Sequence, residues 1–478
     1  YDGETYDARL EIPGFNRPGL SEEGWNPVCE LDYPVPNLYP QKAALVRKQE
    51  IFPVKKIFRT PNGITCLDFG QNMAGIPGFR VQGKPGDLVE LQCFEELDKE
   101  GNVYTDNLRS ARQTIRYFCR GEGPEEHEPL FTYQGFRYVA VLCWPGEIVP
   151  EQFRAVAMYS SIDYTGTFRC GNPLLNRLVQ NIRWSMKSNF VDIPTDCPQR
   201  DERLGWTGDA QIFCQTSAYL GNVYNFFEKW LRDLSLEQNE EGGVPHLIPD
   251  ILCGRDQSDD WLLSQGIHSA AAWADAAVLI PWKLYLHYAD RRILERQYAG
   301  MKSWIDFMTA HAENGIWNYQ LQFGDWLALD AKEGSYFGAT PNELTCTAYY
   351  AYSTGIFARV ADILEHREDA VKYQKLYEEI RSVFKTNFFG PDGMMTADTQ
   401  TAYALALCFD LVPDQWKTGA ADRLAGLLEQ NDGHMTTGFM GTPCLCPALS
   451  AQEKTKEAYR LLLRTDYPSW LYQVSQGA

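Results

Sequence analysis

The hydrophobic pattern of this chain changes its period once, near residue 160, and that change limits the folds open to it. From about 43 to 160 apolar residues recur every second position or in short β-rich runs. Examples are Gly75-Ile-Pro-Gly-Phe-Arg-Val-Gln-Gly83, Leu88-Val-Glu-Leu-Gln-Cys-Phe94, Thr114-Ile-Arg-Tyr-Phe-Cys119 and Tyr138-Val-Ala-Val-Leu-Cys143. Turn residues separate them, as in Lys84-Pro-Gly-Asp87 and Lys99-Glu-Gly-Asn102. The pattern predicts an antiparallel β-sandwich. Its aromatics are read as sheet core ahead of a carbohydrate-binding role. Residues 1 to about 42 are rich in Pro, Gly and Asn and read as a surface linker.

Beyond about 163 the period is that of helices. Asn172-Pro173 places a capping side chain before a proline at the first helical position, and Leu174, Leu175, Leu178, Ile182 and Met186 then share a face. Further amphipathic stretches fall at roughly 210–238, 268–289, 291–313, 342–364, 367–388, 399–411, 414–430 and 452–464, with a short one from near 468. Ten helices in successive pairs predict an α/α toroid of two concentric rings.

The chain has 478 residues, and 44% apolar content with 26 Tyr, 24 Phe and 13 Trp suffices for large cores. Against 63 acidic residues stand 44 basic ones, a net charge of −19 that repels a polyanion, and no basic run offers a local exception. Nucleic acid is excluded as a partner on that ground. The 13 cysteines are scattered, without C-x-x-C pairs or zinc-ligand spacing, and several lie in apolar stretches. They read as reduced core residues, which with the lack of a signal-like segment gives a cytoplasmic expectation. No apolar run approaches the ~18–20 residues of a membrane span, so no membrane association is expected.

The segment Asp196-Cys-Pro-Gln-Arg-Asp-Glu-Arg-Leu-Gly-Trp-Thr-Gly-Asp209 carries the chemistry. It packs four acids, two arginines and a tryptophan between turn residues. A packed core does not usually take so many carboxylates, because an unpaired buried charge is costly. A salt-bridged surface loop is the plain alternative, but such loops do not usually hold an indole. The mixture predicts a rigid polar pocket with acids for proton transfer and an aromatic face for the apolar side of a sugar.

This motif closely resembles the main motif of the bacterial α-L-rhamnosidases, glycoside hydrolase family 78, and the resemblance extends over essentially the whole chain. Gly3-Glu-Thr-Tyr-Asp-Ala-Arg9 is similar to the closing segment of that family's N-terminal β-domain. Asp68-Phe-Gly-Gln-Asn72 and Phe131-Thr-Tyr-Gln-Gly-Phe-Arg-Tyr138 are similar to its β-sandwich. The resemblance implies a tail and linker over 1–42, a sandwich over 43–160, and a six-hairpin (α/α)6 barrel over 161–478. Such a barrel has twelve helices. The shortfall from twelve to ten means either that helices are merged or missed in the pattern, or that the chain stops before the barrel closes.

The resemblance further implies an inverting glycoside hydrolase that removes terminal α-L-rhamnose from glycosides or oligosaccharides, with no cofactor and no metal. It places the general acid on Glu202. Flanking Trp206 would exclude water and favour the protonated form, and Arg200 and Arg203 would oppose it. Asp196, Arg200, Trp206 and Asp209 match sugar-contacting positions, although Asp209 also suits the N-cap of the next helix. Trp273 in Trp273-Ala-Asp-Ala-Ala-Val-Leu-Ile-Pro-Trp282 and Trp326 in Gly324-Asp-Trp-Leu327 are expected pocket walls, with Asp275 and Asp325 as polar companions. Thr437-Gly-Phe-Met-Gly-Thr442 also resembles a family segment, and its glycines suit close backbone approach. The second carboxylate that hydrolysis needs is expected just beyond Ala478, after Ser469-Trp-Leu-Tyr-Gln-Val-Ser-Gln-Gly-Ala478, so the chain is expected to be part of a longer protein. Two other readings remain: a rhamnose-binding chain without turnover, and another exo-glycosidase with the same barrel. Oligomeric state is not readable from the sequence.

Overall fold

A computed structural model describes residues 1–21, 23–33, 38, 40–251 and 267–478. The chain divides into two compact units. One holds Tyr1–Ser161, Trp184–Asp192 and Cys197–Arg203; the other holds Ile162–Arg183, Ile193–Asp196 and Leu204–Ala478.

In the first unit the described strands of its Tyr1–Ser161 segment are β1 (Gly3–Asp7), β2 (Val46–Pro53), β3 (Lys56–Arg59), β4 (Thr65–Val81), β5 (Leu88–Phe94), β6 (Glu96–Leu97), β7 (Val103–Tyr104), β8 (Thr114–Phe118), β9 (Glu125–His127), β10 (Gln134–Cys143) and β11 (Phe153–Ser160). Among the described residues nine of them form one sheet, along the path β1-β8-β5-β10-β4-β11-β2, with β3 and β9 also on β4. β6 and β7 make a separate hairpin. The alternation expected of a half-buried strand is plain in β5, where Val89, Leu91 and Cys93 are fully buried and pair on toward β8. β4 departs from it. Met73–Phe79 is buried on both faces, as a central strand covered on two sides must be. Part of that cover is Trp184–Asp192, from which the Ser188 hydroxyl accepts a hydrogen bond from the Ala74 N–H at 3.2 Å. Gly3–Asp7 is a strand of this same sheet, and its pairing with β8 is parallel, unlike the other pairings of the sheet.

The second unit is helical. Its helices are α1 (Pro173–Asn189, which the division crosses at Arg183), α2 (Thr207–Leu220), α3 (Tyr224–Glu237), α4 (Ala276–Tyr288), α5 (Arg291–His311), α6 (Asn342–Ile363), α7 (Arg367–Phe388), α8 (Gln400–Cys408), α9 (Lys417–Gln430), α10 (Thr442–Ala451), α11 (Thr455–Leu462) and α12 (Trp470–Ser475). Asn172 caps α1 as expected, its side-chain oxygen accepting from the Leu174 N–H at 2.9 Å.

Twelve helices among the described residues replace the ten expected, and two errors account for the difference. The stretch 210–238 is two helices, broken where the Gly221 backbone turns extended (φ −162°) and the Asn222 N–H bonds Asp163 instead of the preceding turn. α10 escaped the pattern because Pro443 and Pro447 lie in it. Pro443 is tolerated in the first turn, where its missing N–H has no intrahelical partner to lose.

Burial separates the helices into two kinds. α4, α6 and α8 are apolar around most of their circumference, with Gln400–Leu407 wholly buried. α7 buries only Tyr373, Tyr377, Ile380, Phe384 and Phe388, one helical stripe. The first kind pack on one another in the order α2, α4, α6, α8, α10, and α4 to α10 each pack on the following amphipathic helix. This is the inner and outer ring of an α/α toroid. Arg177 of α1 donates its Nε to the Ala478 carbonyl at 3.0 Å, joining the two ends of this unit.

Candidate active site

The motif is shared between the two units: Cys197–Arg203 belongs to the sheet unit, whereas Asp196 and Leu204–Asp209 belong to the helical one. Asp196 and Leu204 close the base of the excursion. The Asp196 N–H donates to the Leu204 carbonyl at 3.0 Å, and the Leu204 N–H returns a bond to Asp196 Oδ1 at 2.9 Å.

In the sheet unit, Cys197–Arg203 forms a strap over β10. Gly135 permits the approach, since a β-carbon there would lie 2.7 Å from Gln199 Cβ. Arg203 is the strap's anchor. Its guanidinium donates to the carbonyls of Tyr133 at 2.6 Å and Gln199 at 3.1 Å, and to Gln134 and Gln113 Oε1 at 3.3 and 3.4 Å. It also lies over the Tyr1 and Tyr133 rings, at 5.3 and 5.0 Å. Gln113, fully buried, uses its other contacts to tie Cys93 and Gly135 together.

Arg203 is thus turned to the sheet, and a residue the motif does not contain is placed on Glu202. Arg109 Nη2 reaches Glu202 Oε2 at 2.7 Å, and Arg200 Nε reaches the same oxygen at 2.8 Å. The Glu202 backbone is held too, its carbonyl accepting from the Tyr1 hydroxyl at 2.7 Å. Neighbouring Asp201 faces Arg109 Nε at 2.7 Å and accepts from the Ser110 hydroxyl and N–H. Burial opposes ionisation of Asp201, but Ser110 and Arg109 outweigh it and hold its carboxyl below the usual range. Glu95, just after β5, accepts from the side-chain amides of Asn72 at 2.8 Å and Asn107 at 3.0 Å. Burial nevertheless pushes its carboxyl up, while Arg200 pulls it back in part.

In the helical unit the expected aromatics gather around Phe323, which the sequence did not single out. Its ring centroid lies 4.6 Å from Trp273, 5.8 Å from Trp326 and 6.1 Å from Trp206. Trp206 and Trp326 keep part of their surface, whereas Trp273 is 4% exposed. Phe439 stacks on Trp273 at 4.7 Å, and α2 crosses it at Gly208, where a β-carbon would come within 2.6 Å of the indole. Trp206 takes the position before α2, and Asp209 is the third residue of that helix, so it is not the N-cap. A carboxylate there complements the positive end of the helix dipole. His246 links the segments. Its carbonyl accepts from the Thr207 N–H at 2.9 Å and hydroxyl at 3.0 Å, and its Nε2 accepts from the Ala270 N–H at 3.1 Å. Burial pushes the imidazole down to about 3, so it is neutral and carries its hydrogen on Nδ1.

Asp275 and Asp325, close in sequence to Trp273 and Trp326, are both buried to 1% exposure or less. Asp275 accepts from Trp304 Nε1 at 3.1 Å, the Ser353 hydroxyl at 2.5 Å and the Ala272 N–H at 2.8 Å. Burial raises its carboxyl above the usual range in spite of these donors. Asp325 accepts from the N–H groups of Gly438 and Met440 at 2.8 Å and of Gly441 at 3.0 Å, and from the Thr401 hydroxyl. It therefore organises the Thr437–Thr442 segment before α10. The described cysteines are free thiols, and no helix among the described residues is long and apolar enough to cross a membrane.

Comparison with known proteins matches every part of the chain. The bacterial alpha-L-rhamnosidase 6 hairpin glycosidase domain matches residues 163–478. The concanavalin-like domain of the same proteins matches 58–159, and their N-terminal domain matches 1–50. An alpha-L-rhamnosidase of Streptomyces avermitilis is 39% identical over 477 residues, which cover 100% of this chain and 44% of the relative. One from Formosa agariphila is 36% identical over 485 residues, covering 100% and 50%. The chain spans about half the length of these curated relatives. Among solved structures, Streptomyces avermitilis alpha-L-rhamnosidase complexed with L-rhamnose superposes with a TM-score of 0.92 at 38% identity, over 100% of this chain and 44% of that one. The native enzyme of Aspergillus terreus does so with a TM-score of 0.93 at 37% identity, over 100% and 55%. With the motif, the two architectures and these matches agreeing along its whole length, the chain belongs to the bacterial α-L-rhamnosidase family.

Proposed function

We propose that this chain acts in an inverting α-L-rhamnosidase, with Glu202 as the group that protonates the leaving oxygen. The observation that carries the reading is the treatment of Glu202. Its side chain is 17% exposed, its orientation is set by two guanidinium groups on one oxygen, and its backbone is tied down by Tyr1. These contacts fix where the carboxyl group sits, and small errors of placement cost large factors in rate. Asp275 and Asp325, by contrast, have both oxygens engaged by internal donors, and we assign them to support of the walls rather than to contact with the sugar. Trp206 and Trp326 are the proposed stacking surfaces, Trp273 the layer beneath them, and Asp196, Arg200 and Asp209 the polar contacts. Inversion also requires a second carboxylate, about 6.5–9.5 Å from the acid, to activate water on the opposite face. The substrate is a terminal α-L-rhamnoside.

The test is Glu202→Gln in the complete native polypeptide, assayed on an alkyl α-L-rhamnoside. Loss of kcat by about 10²–10⁴ with KM little changed is expected from removing a general acid. Undiminished release of rhamnose would remove Glu202 from the mechanism.

A further inference from the structure

The sheet unit contributes more to the acid than a platform. Between the strap and the Arg109 turn charges alternate: Asp201, Arg109, Glu202, Arg200. Arg109 spans two consecutive acids, its Nε on Asp201 Oδ1 and its Nη2 on Glu202 Oε2, each at 2.7 Å. Such a fork fixes direction as well as distance, which a single ammonium cannot do. The backbone supports the same reading. Arg109 follows the short turn Asp106–Leu108 with φ 55° and ψ −114°, a conformation that crowds a β-carbon. Residues held in such regions cluster at functional sites. The next residue, Ser110, gives both its hydroxyl and its N–H to Asp201, so the strained turn and the acid-bearing strap are joined by side chain and main chain together.

We propose that Arg109 is a positioning residue for the Glu202 carboxyl group, so that the β-sheet unit supplies a working part of the acid catalyst. The proposal rests on Glu202 being the proton donor. In that step the Glu202 O–H bond breaks as its proton passes to the glycosidic oxygen. The C1–O bond breaks with its electron pair going to that oxygen, and water adds to C1 while losing a proton to the base. Proton donation matters most when the departing group is a poor leaving group, so misplacing the acid has a signature that general loosening lacks.

The experiment compares an alkyl α-L-rhamnoside with 2,4-dinitrophenyl α-L-rhamnoside in the complete native polypeptide, for Arg109→Ala, Arg109→Gln, Arg109→Lys and Glu202→Gln. Glutamine keeps the bulk if alanine loosens the turn. For Arg109→Ala and Arg109→Gln, kcat/KM is expected to fall about 30-fold on the alkyl substrate and less than about threefold on the dinitrophenyl one. Arg109→Lys should recover only part of the loss. Glu202→Gln should show the same bias more steeply. Equal losses on both substrates, or no loss, for the Arg109 variants while Glu202→Gln keeps its bias would overturn the role of Arg109 alone. A Glu202→Gln profile without bias would overturn the acid assignment and the inference with it.

Discussion

The strap Cys197–Arg203 and the aromatic wall around Phe323 hold carboxylates in opposite ways. On the strap, Asp201 and Glu202 are paired with arginines and keep 23% and 17% of their side-chain surface. In the helical unit, Asp275 and Asp325 are buried and bonded mainly to neutral hydroxyl, indole and backbone donors. The first arrangement orients a group while leaving it able to react. The second consumes the group's bonding capacity and turns it into a brace. A carboxylate near a pocket is thus no sign of chemistry until its partners are counted.

The sharpest way to break this contrast is to exchange stability for activity between the two regions. Glu202→Gln should abolish most turnover yet leave the denaturation midpoint nearly unchanged. Asp325→Ala should do the reverse first, lowering unfolding stability by on the order of 3–5 kcal/mol, because it strands three backbone N–H groups in a buried site. Urea titrations with matched assays would decide it, and an Asp325→Ala protein of native stability would mean that the braced reading is wrong.

His246 makes a pH-dependent version of the comparison. Its folded value, pushed down to about 3 by burial, lies below the unfolded value of roughly 6.5. Between those values the unfolded chain binds a proton that the folded chain does not. Stability is therefore complete above about pH 6.5 and falls progressively as the pH drops toward 3. His246→Gln, which offers an acceptor to the Ala270 N–H without titrating, should flatten stability over that window, as read by thermal melts at stepped pH. An unchanged acid slope would assign the sensitivity to other groups.

The smallest effect is expected at Ser353→Ala. Asp275 keeps its Trp304 and Ala272 donors, so the cost should be about 1–2 kcal/mol. A larger loss would mean that the serine, not the indole, carries the brace.

Much of this was legible in the residues themselves. The change of period near 160 separated sheet from helices, and Asn172-Pro173 marked where α1 begins. The misses have physical causes. α2 and α3 share an uninterrupted apolar pattern, so only the backbone at Gly221 reveals the break. α10 was hidden by Pro443, which a first turn tolerates, and by Pro447 inside the helix. Arg109 and Gln113 lie about 90 positions before the strap residues they bond, and no local spacing links them to it. Arg203 was expected to oppose protonation of Glu202, but its guanidinium is spent on carbonyls of the sheet unit.

Residue order alone determined what depends on short-range periodicity and on side-chain chemistry: two architectures, the Asn172 cap of α1, and a segment dense in acids and arginines. The fold decided which charges meet. A guanidinium's partner is set by long-range chain packing, so only the tertiary structure could give Arg109 to Glu202, turn Arg203 away, and make braces of Asp275 and Asp325.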